Sequence, residues 1–174
     1  MEEKSTDSIN SYLTFKIGSE VFAANVSKVL NILELQPITE VPQSPKYMKG
    51  VINLRGEVLP VIDSKVKFGL GETEFTNNTC ILVLDINIDE ESVHVGALVD
   101  SVLEVLEFEE KDIEPAPSIG NKYKSEFIEG MCKADDKFIM ILNMDLVFSM
   151  DELVILKEKT AQGETKIAEH SDKE

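Results

Sequence analysis

Hydrophobic and polar positions alternate along most of this chain, and short β-like runs outnumber helical ones. Ser11–Ile17, SYLTFKI, alternates and stops at Gly18-Ser19, a turn signal; EVFAANV from Glu20 follows, and the two predict a hairpin. Cys80–Ile88 (CILVLDINI) and Ser92–Val99 (SVHVGALV) predict another across Asp89-Glu90-Glu91. Lys49–Asp63, KGVINLRGEVLPVID, sets two β-prone segments on either side of Leu54-Arg55-Gly56-Glu57 and predicts a tight hairpin there. Lys137–Met144, KFIMILNM, predicts one more apolar strand, and Pro37, Pro42, Pro45, Pro115 and Pro117 punctuate the connections. Helical signals are fewer. Val26–Leu33 predicts one short helix, because Val26, Val29 and Leu33 share a face. Ser149 and Glu152 match a capping box ahead of an apolar run, which predicts a C-terminal helix over roughly 149–159.

The two halves repeat each other. Val26-x-x-Val29-Leu30-x-Ile32 returns as Val99-x-x-Val102-Leu103-x-Val105, and each follows a β-like segment. An acidic, proline-bearing connection comes next, then a glycine and a hairpin. Setting Gly50 on Gly130 aligns Val58, Val61 and Ile62 with Phe138, Ile141 and Leu142 without a gap. The physical reading is two copies of a small all-β unit, each closed into a barrel because closure removes exposed strand edges. The expected organisation is a polar, flexible N-terminus over 1–11, a single folded region over 12–156, and a flexible tail over 160–174. Within the folded region, one barrel is expected over about 12–75 and a second over about 79–145. A unit of this size is marginal alone, so the two are expected to pack together with a groove between them.

The repeat isolates Arg55. Counted from the paired glycines, it falls opposite Asp135, and the second copy turns with KADDK and no arginine. Hairpin geometry therefore does not demand Arg55. A guanidinium at a strand-turn tip suits a carboxylate or carbonyl-rich partner surface. The plainer reading is a surface arginine that offsets Glu57 and aids solubility.

Composition narrows the function. The 174 residues carry 33 acids against 17 Lys and Arg, a net charge of −16, which disfavours nucleic acid and anionic membrane surfaces. No apolar run reaches the length of a membrane span, and the acid-led start MEEKSTDSIN is no secretory signal, so a cytoplasmic protein is expected. Cys80 and Cys132 form no CxxC and sit in apolar runs, which reads as two small buried hydrophobes rather than a disulfide or metal site. No catalytic set emerges. His94 alternates with valines, His170 lies in the polar tail, and FGLGETEF lacks the Lys-Ser/Thr of a phosphate loop. The carboxylate runs at Asp89–Glu91 and Glu107–Asp112 read as solvated faces. No cofactor or metal is expected, and the chain reads as a non-enzyme.

The motifs resemble the CheW family of bacterial chemotaxis adaptors. The match runs through Gly50-Val51-Ile52-Asn53-Leu54-Arg55-Gly56-Glu57-Val58-Leu59-Pro60-Val61-Ile62-Asp63. It resumes at Val95-Gly96-Ala97-Leu98-Val99-Asp100-Ser101-Val102, then Glu104-Val105, then Ile113-Glu114-Pro115-Ala116-Pro117, then Gly130. The resemblance covers about Tyr12 to Leu156 and implies two packed five-stranded SH3-like β-barrels. It implies a non-catalytic adaptor that couples the cytoplasmic tip of chemoreceptors to the regulatory domain of the histidine kinase CheA, recruited to receptor arrays. The receptor's helical hairpin is then expected in the groove between the barrels. Arg55, with Asn53, Leu54 and Gly56 around it, takes the position of the receptor-contacting region. Gly50, Gly96, Val29 and Val102 also match positions tied to receptor coupling. For the glycines, a backbone approach that admits no Cβ competes with that role; for the valines, core packing does. The resemblance assigns no kinase-binding residues. One departure stands out: members often carry an acid where this chain has Asn31, whereas the second copy keeps Glu104. Two other readings are a coupler of the same fold in another chemosensory-like pathway and a small-molecule-binding β-barrel sensor, the latter requiring convergent polar groups in an apolar pocket.

Overall fold

The computed structural model describes residues 9–115 and 127–148. The predicted hairpins form. β1 (Ile9–Ile17) pairs with β2 (Glu20–Asn25), β4 (Met48–Leu54) with β5 (Glu57–Asp63), and β6 (Cys80–Ile88) with β7 (Glu91–Val99), all antiparallel. The strand predicted over Lys137–Met144 becomes β10 (Lys137–Leu142), hairpinned with β9 (Ile128–Ala134). Two further strands, β3 (Val29–Glu34) and β8 (Ser101–Glu109), take outer positions.

The helix predicted over Val26–Leu33 does not form. Val26–Lys28 make one 3-10 turn, with Asn25 Oδ1 accepting from the Ser27 N–H, and the chain then extends as β3 against β6. Its apolar residues fall on both faces of a strand, since Val29 and Leu33 turn inward while Leu30 and Ile32 turn out. Strand pairing overrides the weak helical periodicity of such a β-branched run. After β5 comes the short helix α1 (Ser64–Lys67), and at the other end a helix α2 (Met144–Phe148) starts ahead of the predicted cap, because Asn143 Oδ1 accepts from the Leu146 N–H. The Ser149–Glu152 capping box and the tail lie outside the described residues.

The strands build two five-stranded sheets in the orders β8-β1-β2-β10-β9 and β3-β6-β7-β5-β4. The repeat explains why the orders match position for position: β3, β6, β7, β5 and β4 of one sheet correspond to β8, β1, β2, β10 and β9 of the other. Each sheet is closed by one further bridge. Thr39 exchanges two backbone hydrogen bonds with Val51 at 2.9 and 2.8 Å, and Glu114 does so with Met131 at 2.8 and 2.7 Å. The barrels are therefore present, but they are not the contiguous segments 12–75 and 79–145. The hairpin β1–β2 sits in a barrel completed by β8, β9 and β10, and β6–β7 sits in one completed by β3, β4 and β5. The parallel pairings β2 with β10 and β5 with β7 are the seams where the halves interlock.

Three cores result. Ile52, Leu59, Val61, Ile81, Val83 and Leu98 fill one barrel; Tyr12, Ala23, Cys132, Ile139 and Ile141 fill the other. The alternate residues of the same strands, among them Phe15, Phe22, Leu82, Leu84 and Ala97, form a larger core between the barrels. Strands buried on both faces explain the unbroken apolar run of β6, where Ile81 and Val83 face one core and Leu82 and Leu84 the other. A packed hydrophobic core thus lies between the barrels. Burying that apolar surface, worth about 25 cal/mol per Å², is what joins two units that are marginal apart. Burial also pushes the Cys132 thiol and the Tyr12 phenol above their ordinary values, with nearby carboxylates adding to the effect.

Candidate functional site

The loop that carries Arg55 is built by its neighbours. Leu54 pairs with Glu57 across two central residues, and Arg55 (φ 53°) and Gly56 (φ 88°) both take positive φ. That is a type I′ turn, whose twist matches the flanking strands. Asn53 Oδ1 accepts the Gly56 N–H at 2.8 Å and holds the turn shut. Leu54 anchors it by packing against the core of the β3–β7 barrel. A Cβ on Gly56 would meet nothing within 4 Å, so its glycine serves the backbone angle alone. Arg55 itself is exposed and forms no ion pair among the described residues. A left-handed non-glycine residue costs about 1–2 kcal/mol, least for Asn or Asp. Asp135, at the equivalent turn of the other barrel, takes the same left-handed angle, φ 57°. The chain thus spends backbone strain to display a guanidinium that no described residue pairs with.

The other expected site residues divide into two groups. A Cβ on Gly50 would stand 2.2 Å from Thr39 O and 2.7 Å from Ile38 Cγ2, and one on Gly130 would stand 2.4 Å from Ile113 Cγ2 and 2.8 Å from Glu114 O. Both glycines sit where the closing bridge crosses its barrel, so the paired glycines mark closure. Gly96 lies at the parallel seam opposite Val61, where a Cβ would be 2.9 Å from Ile81 Cγ2. Val29 and Val102 lie where the chain crosses from one sheet to the other, half-buried against the inter-barrel core. The structure brings Asn53, Leu54, Arg55 and Gly56 together at one barrel end and leaves Gly50, Gly96, Val29 and Val102 in the framework behind them. At the departure point, Asn31 Oδ1 accepts the Ile32 N–H at 3.0 Å on the outer strand β3.

Sequence reasoning missed several exposed apolar side chains. Val58 is 50% exposed beside Asn53, its cross-strand partner, and Phe138 is 50% exposed at the matching place in the other barrel. Leu30 and Ile32 on β3, and Leu103 and Val105 on β8, repeat the same symmetry. The alignment of Val58 with Phe138 held that signal, but only solvent exposure distinguishes a displayed pair from a buried one. Asp63 was visible as a motif position, and the structure shows its task. Its carboxylate is 1% exposed and accepts from Lys65 N, Val66 N, Thr73 N and, at 2.6 Å, Thr73 Oγ1. It caps the short helix α1 (Ser64–Lys67) and pins the connector between the halves.

The family model described as CheW-like domain matches residues 11–152. The chain belongs to the CheW family. Among CheW relatives, it is 34% identical over 140 residues to the chemotaxis protein CheW of Rhizobium meliloti (strain 1021), covering 80% of this chain and 88% of that one. It is 32% identical over 139 residues to CheW of Bacillus subtilis (strain 168), covering 80% and 86%. The crystal structure of the scaffolding protein TtCheW from Thermoanaerobacter tengcongensis superposes with a TM-score of 0.72 at 29% identity, over 87% of this chain and 96% of that one. The match supports the two-barrel architecture in a CheW protein. No helix among the described residues is long and apolar enough to cross a membrane.

Proposed function

We propose that this protein is a non-catalytic adaptor of bacterial chemotaxis that couples chemoreceptors to the histidine kinase CheA at membrane receptor arrays. Membership of the CheW family across 142 residues, from 11 to 152, carries the pathway and the adaptor role. Arg55, exposed and unpaired among the described residues on its left-handed turn, carries the location of the receptor contact. Strain kept at an exposed position with no partner among the described residues points to an external one. In this reading the receptor's helical hairpin meets the barrel end that carries the turn, and Arg55 orients it with help from Asn53 and exposed Val58. Gly50, Gly56, Gly96, Leu54, Val29 and Val102 hold that surface in shape. The kinase's regulatory domain takes a different surface. Single contacts of this kind are weak, and the array supplies avidity.

The test is co-sedimentation with receptor-bearing membranes and the kinase, reading both retention and kinase activity. Arg55→Asp keeps the turn, because Asp stands at the equivalent position 135. It is expected to abolish receptor retention while kinase binding and the unfolding temperature stay unchanged. Loss of folding would make Arg55 structural, and retained receptor binding would remove it from the site.

A further inference from the structure

The Arg55 turn has a neighbour of opposite charge. β5 and β7 run parallel, with Val61 opposite Gly96, Ile62 opposite Ala97 and Asp63 opposite Leu98, so both strands begin at the same end of the barrel. The turn feeding β5 is Arg55–Gly56, and the turn feeding β7 is Asp89–Glu90. Contact persists to that end, since Glu57 Oε2 lies 3.9 Å from His94 Nδ1. The second turn repeats the geometry of the first: Ile88 pairs with Glu91, and Asp89 (φ 51°) and Glu90 (φ 68°) are both left-handed. Glycine is favoured at the second such position, yet Glu90 occupies it. Asp89 and Glu90 are exposed and, like Arg55, enter no ion pair among the described residues. Val58, half-exposed, belongs to the strand between the turns.

Resting on the receptor reading above, we infer that the two turns form one bipolar recognition surface. Its partner is a helical segment that sets a carboxylate against Arg55 and a Lys or Arg against Asp89 and Glu90, with an aliphatic side chain between them on Val58. Adjacent strands are about 4.8 Å apart, so the two charge centres on the partner stand one to two helical turns apart, about 5–11 Å. Charge complementarity fixes the order. A uniformly acidic partner is repelled by Asp89 and Glu90, and a uniformly basic one by Arg55. The acidic turn thus discriminates among segments that Arg55 alone would accept.

The experiment titrates the purified full-length protein with a soluble receptor signalling-tip hairpin at low and moderate salt. The double change Asp89→Lys with Glu90→Lys is expected to weaken binding about tenfold, more at low salt. Asp89→Asn with Glu90→Gly, a sequence suited to the same turn, keeps the fold and is expected to weaken it about threefold, in line with the small worth of exposed pairs. Tighter or unchanged binding in both variants overturns the inference and leaves the receptor reading standing. Failure of the unaltered protein to bind the hairpin overturns the receptor reading itself, and this inference with it.

Discussion

At the scale of single residues, stability and recognition separate at position 55. Arg55 sits at an angle where glycine is free of strain. Arg55→Gly therefore relieves the turn while deleting the guanidinium. The expected result is a protein equally or slightly more stable in urea, by up to about 1 kcal/mol, that no longer sediments with receptor. A destabilised Arg55→Gly protein would show that the side chain holds the turn. Arg55 stood out in the sequence because its repeat partner is Asp135. The strain could not be read there, because φ belongs to the folded turn and a Leu-Arg-Gly-Glu string also fits other loops. The same limit hid the match between the Arg55 and Asp89 turns, which lie 34 positions apart in sequence and become neighbours only through the parallel seam.

At the scale of elements, alternation announced the hairpins, and it did so most clearly where turn residues bracketed the strand, as at Gly18-Ser19. It failed at Val26–Leu33, where Leu30 and Ile32 face solvent on β3 and supply apolar residues where a half-buried strand shows polar ones. The glycines at 50 and 130 were legible as a pair, but their purpose required knowing what crosses them. Each lies under the bridge that turns an open sheet into a barrel, so Gly50→Ala and Gly130→Ala should both be costly, the first also because Gly50 holds φ 153°. The expected loss is about 3 kcal/mol for each, read as a lower urea midpoint with an unchanged slope. A cost at only one of the two would mean that the closures are not equivalent. Around the second closure, Asp145 of α2 accepts from Lys28 Nζ at 2.8 Å and from Asn87 N at 2.9 Å, tying the end of one barrel's strands to the other barrel. Nearby, Glu129 is held above its usual value, first by burial and then by the Asp145 charge, with Lys28 opposing both.

At the scale of the whole molecule, the repeat was visible, while the exchange of hairpins between copies was not. A contiguous barrel and an interlocked one use the same strands and the same connections; only the partners chosen by the two hairpins differ, β1 taking β8 and β2 taking β10, β6 taking β3 and β7 taking β5. The inter-barrel core decides it by giving Phe15, Phe22, Leu82 and Ala97 a second buried face. Neither half of the chain completes a barrel alone. Fragments 1–72 and 73–174, separated at the connector after Gly71 and Glu72, should each lack cooperative unfolding and regain the strand signal in circular dichroism when mixed. The intact chain should melt in one transition. A first half that folds by itself would contradict the exchanged topology.

The same exchange governs when the protein can become native during synthesis. The opening hairpin must wait for β10, whose last residue is Leu142, before its barrel can exist. A nascent chain with its first hundred residues outside the ribosome carries one barrel's worth of strands and a hairpin with no place to dock. The barrel of the opening hairpin is therefore the last part of this adaptor that can become native during synthesis, and a chain truncated anywhere before β10 lacks it.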